Sequence, residues 1–263
     1  MVLLVLNLLP KDKTVAKQDS RDGRNTTLSP TINKAVKAIS TPTPTITKST
    51  KQIFHGNKEE QSVEVSNQKK AEFYYERIPA SVKTRIMGKS YGEKCDVPME
   101  DLRYVTVLYW GFDNQSHRGE LIVNRKIASD IVDIFQELYE KKYPIERIEL
   151  VDNYNADDDE SMAANNTSSF NYRNIDGTKK ISLHSYGLAI DINPLYNPYV
   201  RENNGKTVIT PVNGMKYADR SLDNPYYIKK DDVIYRAFIK KGFTWGGEWK
   251  TQKDYQHFQK TFD

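Results

Sequence analysis

The sequence predicts an α+β domain, a small central antiparallel sheet flanked by helices, that begins near Ala71. Three observations point there. Apolar residues recur with helical spacing in two stretches, and β-branched and aromatic residues gather in short runs between them. Residues 11–70, by contrast, hold too few apolar side chains to offset the entropy of ordering. We therefore divide the 263 residues into residues 1–70, a signal-like start followed by a disordered Ser/Thr/Pro/Lys-rich tether, and residues 71–263, one compact domain.

In the start "MVLLVLNLLPKDK", eight of the first ten residues are apolar, about the length of a signal h-region. No Lys or Arg precedes them and no small-residue cleavage site follows. The stretch reads as a degraded or mis-started secretion signal, or as a dispensable strand. The repeated Thr-Pro pairs of "STPTPTITKST" then favour extended backbone. Within the domain, "YVTVLYWGF" (104–112) reads as a buried strand. Ile127, Ile131, Ile134, Phe135 and Leu138 repeat with helical period until Pro144. "IERIELV" (145–151) alternates as a strand does. "DDVIYRAFIKKGF" (231–243) reads as a helix with an acidic start and Gly242 as its stop. The final "TWGGEWKTQKDYQHFQ" is too aromatic and too interrupted by glycine for a plain helix.

Charge is unevenly placed. Residues 1–70 hold 12 Lys and Arg against 6 Asp and Glu, a net of +6, and the remainder holds 27 against 29, a net of −2. A nucleic-acid enzyme would carry its basic patch on the folded domain, so no nucleic-acid partner is expected. The basic leader suits either an acidic cell envelope or no partner at all. No run approaches the roughly 18 apolar residues of a spanning helix, so no integral membrane span is expected. The single cysteine, Cys95, excludes both an internal disulfide and a thiolate metal cluster.

The residues fit for chemistry are few. Of four histidines, His55 lies in the tether and His117 in the polar turn "DNQSHRGE", where exposure is the plain reading. His184 and His257 remain. No HExxH stretch exists, which excludes a helix-borne zinc protease. A catalytic zinc takes three protein ligands and keeps a position for water. Asp191, in "SLHSYGLAID" with His184, is the best-placed third donor. On a straight strand a seven-residue offset puts the two on opposite faces, so they converge only if the backbone bends, which Gly187 permits. The alternative is a structural His–Asp pair hydrogen-bonded in a core. Asp254, three residues before His257, has the spacing of a proton-transferring carboxylate beside a metal. Arg173, in "FNYRN", could stabilise an oxyanion or simply lie on the surface.

Ser182-x-His184-x-x-Gly187-x-Ala189-x-Asp191, then "WGGEW" and Asp254-x-x-His257-Phe258, resembles a family of bacterial and phage zinc metallopeptidases. These are the D-Ala-D-Ala carboxypeptidases and dipeptidases and the L-alanyl-D-glutamate endopeptidases that cut cell-wall stem peptides. "GELIVNRKIASDI" and "HSYGLAIDINPLYNPYV" extend the resemblance across most of residues 71–263. It implies a Hedgehog/DD-peptidase-like fold, with zinc (Zn2+) held by His184, Asp191 and His257. It further implies Asp254 as general base, Arg173 as transition-state stabiliser, and Ser182 and Tyr186 facing substrate. The expectation is a zinc-dependent peptidase, monomeric and extracytoplasmic, acting on peptidoglycan peptides as a D-alanyl-D-alanine carboxypeptidase. An L-alanyl-D-glutamate endopeptidase is the nearest alternative, and a non-catalytic cell-wall-binding module the alternative from another class.

Overall fold

The computed structural model describes residues 72–262. The signal-like start and the tether expected over residues 1–70 lie outside the described residues. Tyr74–Glu76 (β1), Leu102–Trp110 (β2) and Ser116–Asn124 (β3) form an antiparallel sheet with β2 in the centre, and the helix Ala80–Ile86 (α1) lies between β1 and β2 in the chain. The register pairs Val105 with Leu121 and Tyr104 with Ile122. Since side chains alternate faces, Val105, Val107, Tyr109, Leu121 and Val123 enter the main core. Leu102, Tyr104 and Ile122 enter a smaller one with Val82 and Ile86 of α1. Both faces of β2 are covered, which is why its sequence reads as a run rather than an alternation.

Ala128–Glu140 (α2) fills the main-core side, burying Ile131, Ile134, Phe135 and Leu138 as the periodicity requires. The strand expected over 145–151 is shorter. Arg147–Ile148 (β4) pairs in parallel with Asn166–Thr167 (β5), and Val151–Tyr154 already turn as a 3-10 helix. Asp158–Ala163 (α3) follows, capped by the Asp157 side chain, which accepts from Glu160 N. Ala189–Asp191 (β6) comes next, then the hairpin Tyr199–Asn203 (β7) and Lys206–Thr210 (β8). Val233–Lys240 (α4) is capped by Asp232, which accepts from Tyr235 N at 2.8 Å, and ends at Gly242, φ +81°. The glycine-broken tail is no helix. It contributes Thr244–Trp245 (β9), Lys253–Asp254 (β10) and His257–Gln259 (β11) to two further small sheets, β6-β11-β9 and β10-β7-β8. Among the described residues no helix is long and apolar enough to cross a membrane.

The stretch Ser182–Asp191 is not a bent strand. Leu183–Tyr186 make one turn of 3-10 helix, with the Ser182 hydroxyl accepting from His184 N, and Gly187 at φ +64° redirects the chain into β6. The end of β3 clamps this turn: Asn124 N donates to Gly187 O at 2.8 Å and Asn124 Nδ2 to Tyr186 O at 3.0 Å. A Cβ on Gly187 would lie 2.6 Å from Asn124 N. Left-handed backbone and backbone overlap therefore act together at this position. Gly187→Ala is expected to cost at least about 2 kcal/mol, read as a lower thermal midpoint. An unchanged midpoint would contradict the pivot.

Candidate active site

The pairing of β6 with β11 sets Asp191 directly opposite His257, on the same face of their sheet. Their neighbours Ile190 and Phe258 anchor the opposite face in the main core. His184 reaches the pair from the 3-10 turn. His257 Nδ1 lies 3.0 Å from Asp191 Oδ1, and His184 Nε2 lies 3.2 Å from both Asp191 Oδ2 and His257 Nδ1. All three side chains are buried.

The second nitrogen of each ring is already engaged. His184 Nδ1 is 2.7 Å from the carbonyl of Ser169, which only accepts, so this nitrogen carries the proton. His257 Nε2 donates to Gln259 Oε1 at 2.9 Å. The lone pairs of His184 Nε2 and His257 Nδ1 are left facing each other and a carboxylate. Two lone pairs cannot bond to one another, and the arrangement calls for a cation between them. Tetrahedral zinc with bonds of about 2.0–2.1 Å spaces its donors by about 3.3 Å. Two imidazoles fixed through their other nitrogens, plus one carboxylate, also make up a catalytic zinc set with its customary outer hydrogen bonds. The residues fit the metal. Among the described residues, the three donor atoms form a group able to hold a metal ion, all within 4.8 Å of one another.

Electrostatics at the cluster follow from its burial. A proton on His257 Nδ1 can take the place of that cation: burial alone would lower the imidazole, but the hydrogen bond of this N–H to Asp191 and the charges of Asp191 and Asp254 lift it to about 9. Burial would likewise raise Asp191. The charge of His184 and the hydrogen bonds from both rings hold it far below the usual carboxylate range instead.

Asp254 is placed by β10, where it pairs with Tyr199 of the hairpin. The "WGGEW" segment explains itself here: a Cβ on Gly246 would lie 2.6 Å from the Asp254 carbonyl, so glycine lets the turn close on it. Asp254 Oδ1 is buried with no hydrogen-bond partner. Burial pushes the carboxyl up to about 7, against the lowering charge of His257 and with the raising charge of Asp191. Arg173 pairs with Asp158 Oδ2 at 2.6 Å, and its Nε is buried without an acceptor. Ser185 holds the arginine's backbone, accepting from Arg173 N at 2.8 Å and donating to Arg173 O at 2.7 Å.

One cavity of about 680 Å³ takes in the three donors together with Asp254, Arg173 and Ser182. Tyr186 is not brought there. A 3-10 turn separates residues two apart by most of a half-turn, so when His184 faces the cavity Tyr186 packs against the smaller core. His117 lies on β3, bonded to Asp113 and stacked on Tyr109, and His55 lies outside the described residues. Burial raises the Cys95 thiol, which disfavours its thiolate. Sequence reading missed Ser169, Ser185, Gln256, Gln259 and Trp249, whose ring centroid is 5.4 Å from that of His257. The spacing of "QHFQ" was the one available signal, since alternation puts His257 and Gln259 on one face.

Residues 176–260 match the family model described as D-alanyl-D-alanine carboxypeptidase. That span takes in His184, Asp191, Asp254 and His257 and stops short of Arg173. No curated protein and no solved structure matches the chain. The two imidazoles and the carboxylate that the backbone brings together all lie within the span that is similar to the D-alanyl-D-alanine carboxypeptidase family.

Proposed function

We propose that this protein is a zinc-dependent D-alanyl-D-alanine carboxypeptidase acting on peptidoglycan stem peptides outside the cytoplasm, as a monomer. We also propose that its domain adopts the Hedgehog/DD-peptidase-like fold. The observation that carries the reading is the convergence of His184, Asp191 and His257 in one cavity with Asp254, whose carboxylate oxygen is buried and unpartnered. Arg201 and Gln252 give the cavity cationic and amide donors of the kind that a terminal carboxylate requires.

Zinc held by the three ligands would supply Lewis acidity and acidify a water. The chain's own residues do the rest. Ser169 O and the Gln259 amide fix which nitrogen each histidine offers. Asp254 takes the proton of the attacking water and returns it to the departing nitrogen, so that the C–N bond breaks to a carboxylate and an amine. Arg173, tied by Asp158 and Ser185, offers N–H donors to the oxygen that gains charge.

The test is mass spectrometry of purified muropeptides before and after digestion, with and without chelator. Loss of one alanine, abolished by chelator, is the expected result. Release of peptide between Ala and Glu would replace the carboxypeptidase by an L-alanyl-D-glutamate endopeptidase. Wall binding without cleavage and without stoichiometric zinc would make the domain a non-catalytic module.

A further inference from the structure

Gln256 is the most deeply buried polar side chain of the cavity wall whose chemistry is unused. It is 2% exposed, it lines the cavity, and its Oε1 has no hydrogen-bond partner. Its backbone is fixed, because Gln256 O accepts from Ile192 N at 3.0 Å, which holds the residue against the end of β6. Its side chain is a hydrogen-bonding neighbour of Asp254. A carboxylate only accepts, so it takes the NH2 end of the amide, and the carbonyl end remains. A buried carbonyl without a donor is costly. Here it stands beside the carboxyl group that, in the proposed reaction, protonates the departing nitrogen.

That nitrogen has two demands. As the carbonyl carbon becomes tetrahedral, the nitrogen becomes pyramidal and its new lone pair must point at the acid. Its N–H must then point elsewhere, and in a dry cavity it needs an acceptor. A side chain already bonded to Asp254 is positioned to offer one. We propose that Gln256 is a substrate-binding residue whose Oε1 accepts the N–H of the scissile peptide nitrogen, orienting its lone pair toward Asp254. The inference rests on the peptidase reading and adds a requirement to it: the substrate must be a secondary amide, because an N-alkylated bond would leave Gln256 unpaired.

The experiment compares two ligands that differ by one group, a phosphonamidate (P–NH–C) and a phosphinate (P–CH2–C) analogue of D-Ala-D-Ala, with the same pair built on L-Ala-D-Glu. Affinities are measured by calorimetry on the zinc-loaded full chain and on Gln256→Met, whose zinc content and thermal midpoint are recorded first. The wild type is expected to bind the N–H member of the recognised pair about ten- to a hundredfold more tightly. Gln256→Met is expected to hold both members with the affinity that the wild type shows for the phosphinate. Equal binding of the two members by the wild type, a comparison that needs no variant, overturns the proposal. So does an N–H preference that survives in Gln256→Met. Binding of neither pair by the zinc-loaded wild type overturns the peptidase reading itself, and this one with it.

Discussion

Asp191→Asn is expected to purify folded but with far less than one zinc per chain, and to hydrolyse no more wall peptide than the chelated wild type. The asparagine keeps the shape of the aspartate and can still hydrogen-bond the rings that lie 3.0 and 3.2 Å away. What it loses is the negative charge opposite the two imidazoles. Structural zinc sites bind with about 10–16 kcal/mol of apparent free energy. Divided over four positions, one ligand represents about 2.5–4 kcal/mol, or roughly a hundred- to a thousandfold in affinity. Metal content by mass spectrometry and a competition titration against a calibrated chelator read this directly. The same variant separates the metal site from a structural His–Asp pair. If the cluster served only packing, Asp191→Asn would alter the thermal midpoint and leave zinc uptake where it was. Stoichiometric zinc in Asp191→Asn would remove the carboxylate from the ligand set.

The sequence made parts of this site legible because their causes are local. Periodicity in residues 127–138 marks α2, since a helix face is a property of its own residues. Likewise the Asp–x–x–His spacing and the family motif carry four side chains into one reading. The turn around His184 was not legible as a turn. Its 3-10 geometry depends on Asn124, about sixty residues away, clamping Gly187 and Tyr186, and no window of sequence contains that contact. The placement of Tyr186 toward substrate, which the resemblance implied, fails for the same reason: i and i+2 share a face on a strand but not on this turn. The hairpin β7–β8 was readable and passed over: Asn204 and Gly205, at φ +51° and +74°, are an Asn-Gly pair between two β-rich runs. Gln259 and Gln256 belong to a third class. Whether an amide near a histidine orients the ring, meets substrate or faces water depends on which side of β11 the cavity opens. That follows from β6 and β9 pairing on either side of it.

Asp254→Asn is expected to do the opposite of Asp191→Asn, retaining one zinc per chain while losing turnover. Asp254 is not one of the three grouped donors, so its removal leaves the metal's ligands in place. Deleting a positioned general acid–base group costs typically a hundred- to ten-thousandfold in rate, and the loss should fall on kcat rather than on substrate affinity. A pH-dependent consequence concerns the zinc-stripped protein. Burial lifts the Asp254 carboxyl from its ordinary value to about 7, so the folded chain binds its proton more tightly than the unfolded one. The stabilisation is complete below the unfolded carboxylate pKa of about 3.9 and fades as the pH climbs through about 7, with one unit of displacement equivalent to about 1.4 kcal/mol. Stripped wild type should therefore lose thermal stability between pH 5 and pH 7 through this group, by an amount of about that size per unit, and little more above it. Stripped Asp254→Asn, which has no proton to lose there, should lose less over the same range. A fully active Asp254→Asn enzyme would sink the mechanism. Parallel pH curves for the two stripped proteins would show instead that the carboxyl sits in a wetter place than its buried, unpartnered oxygen implies.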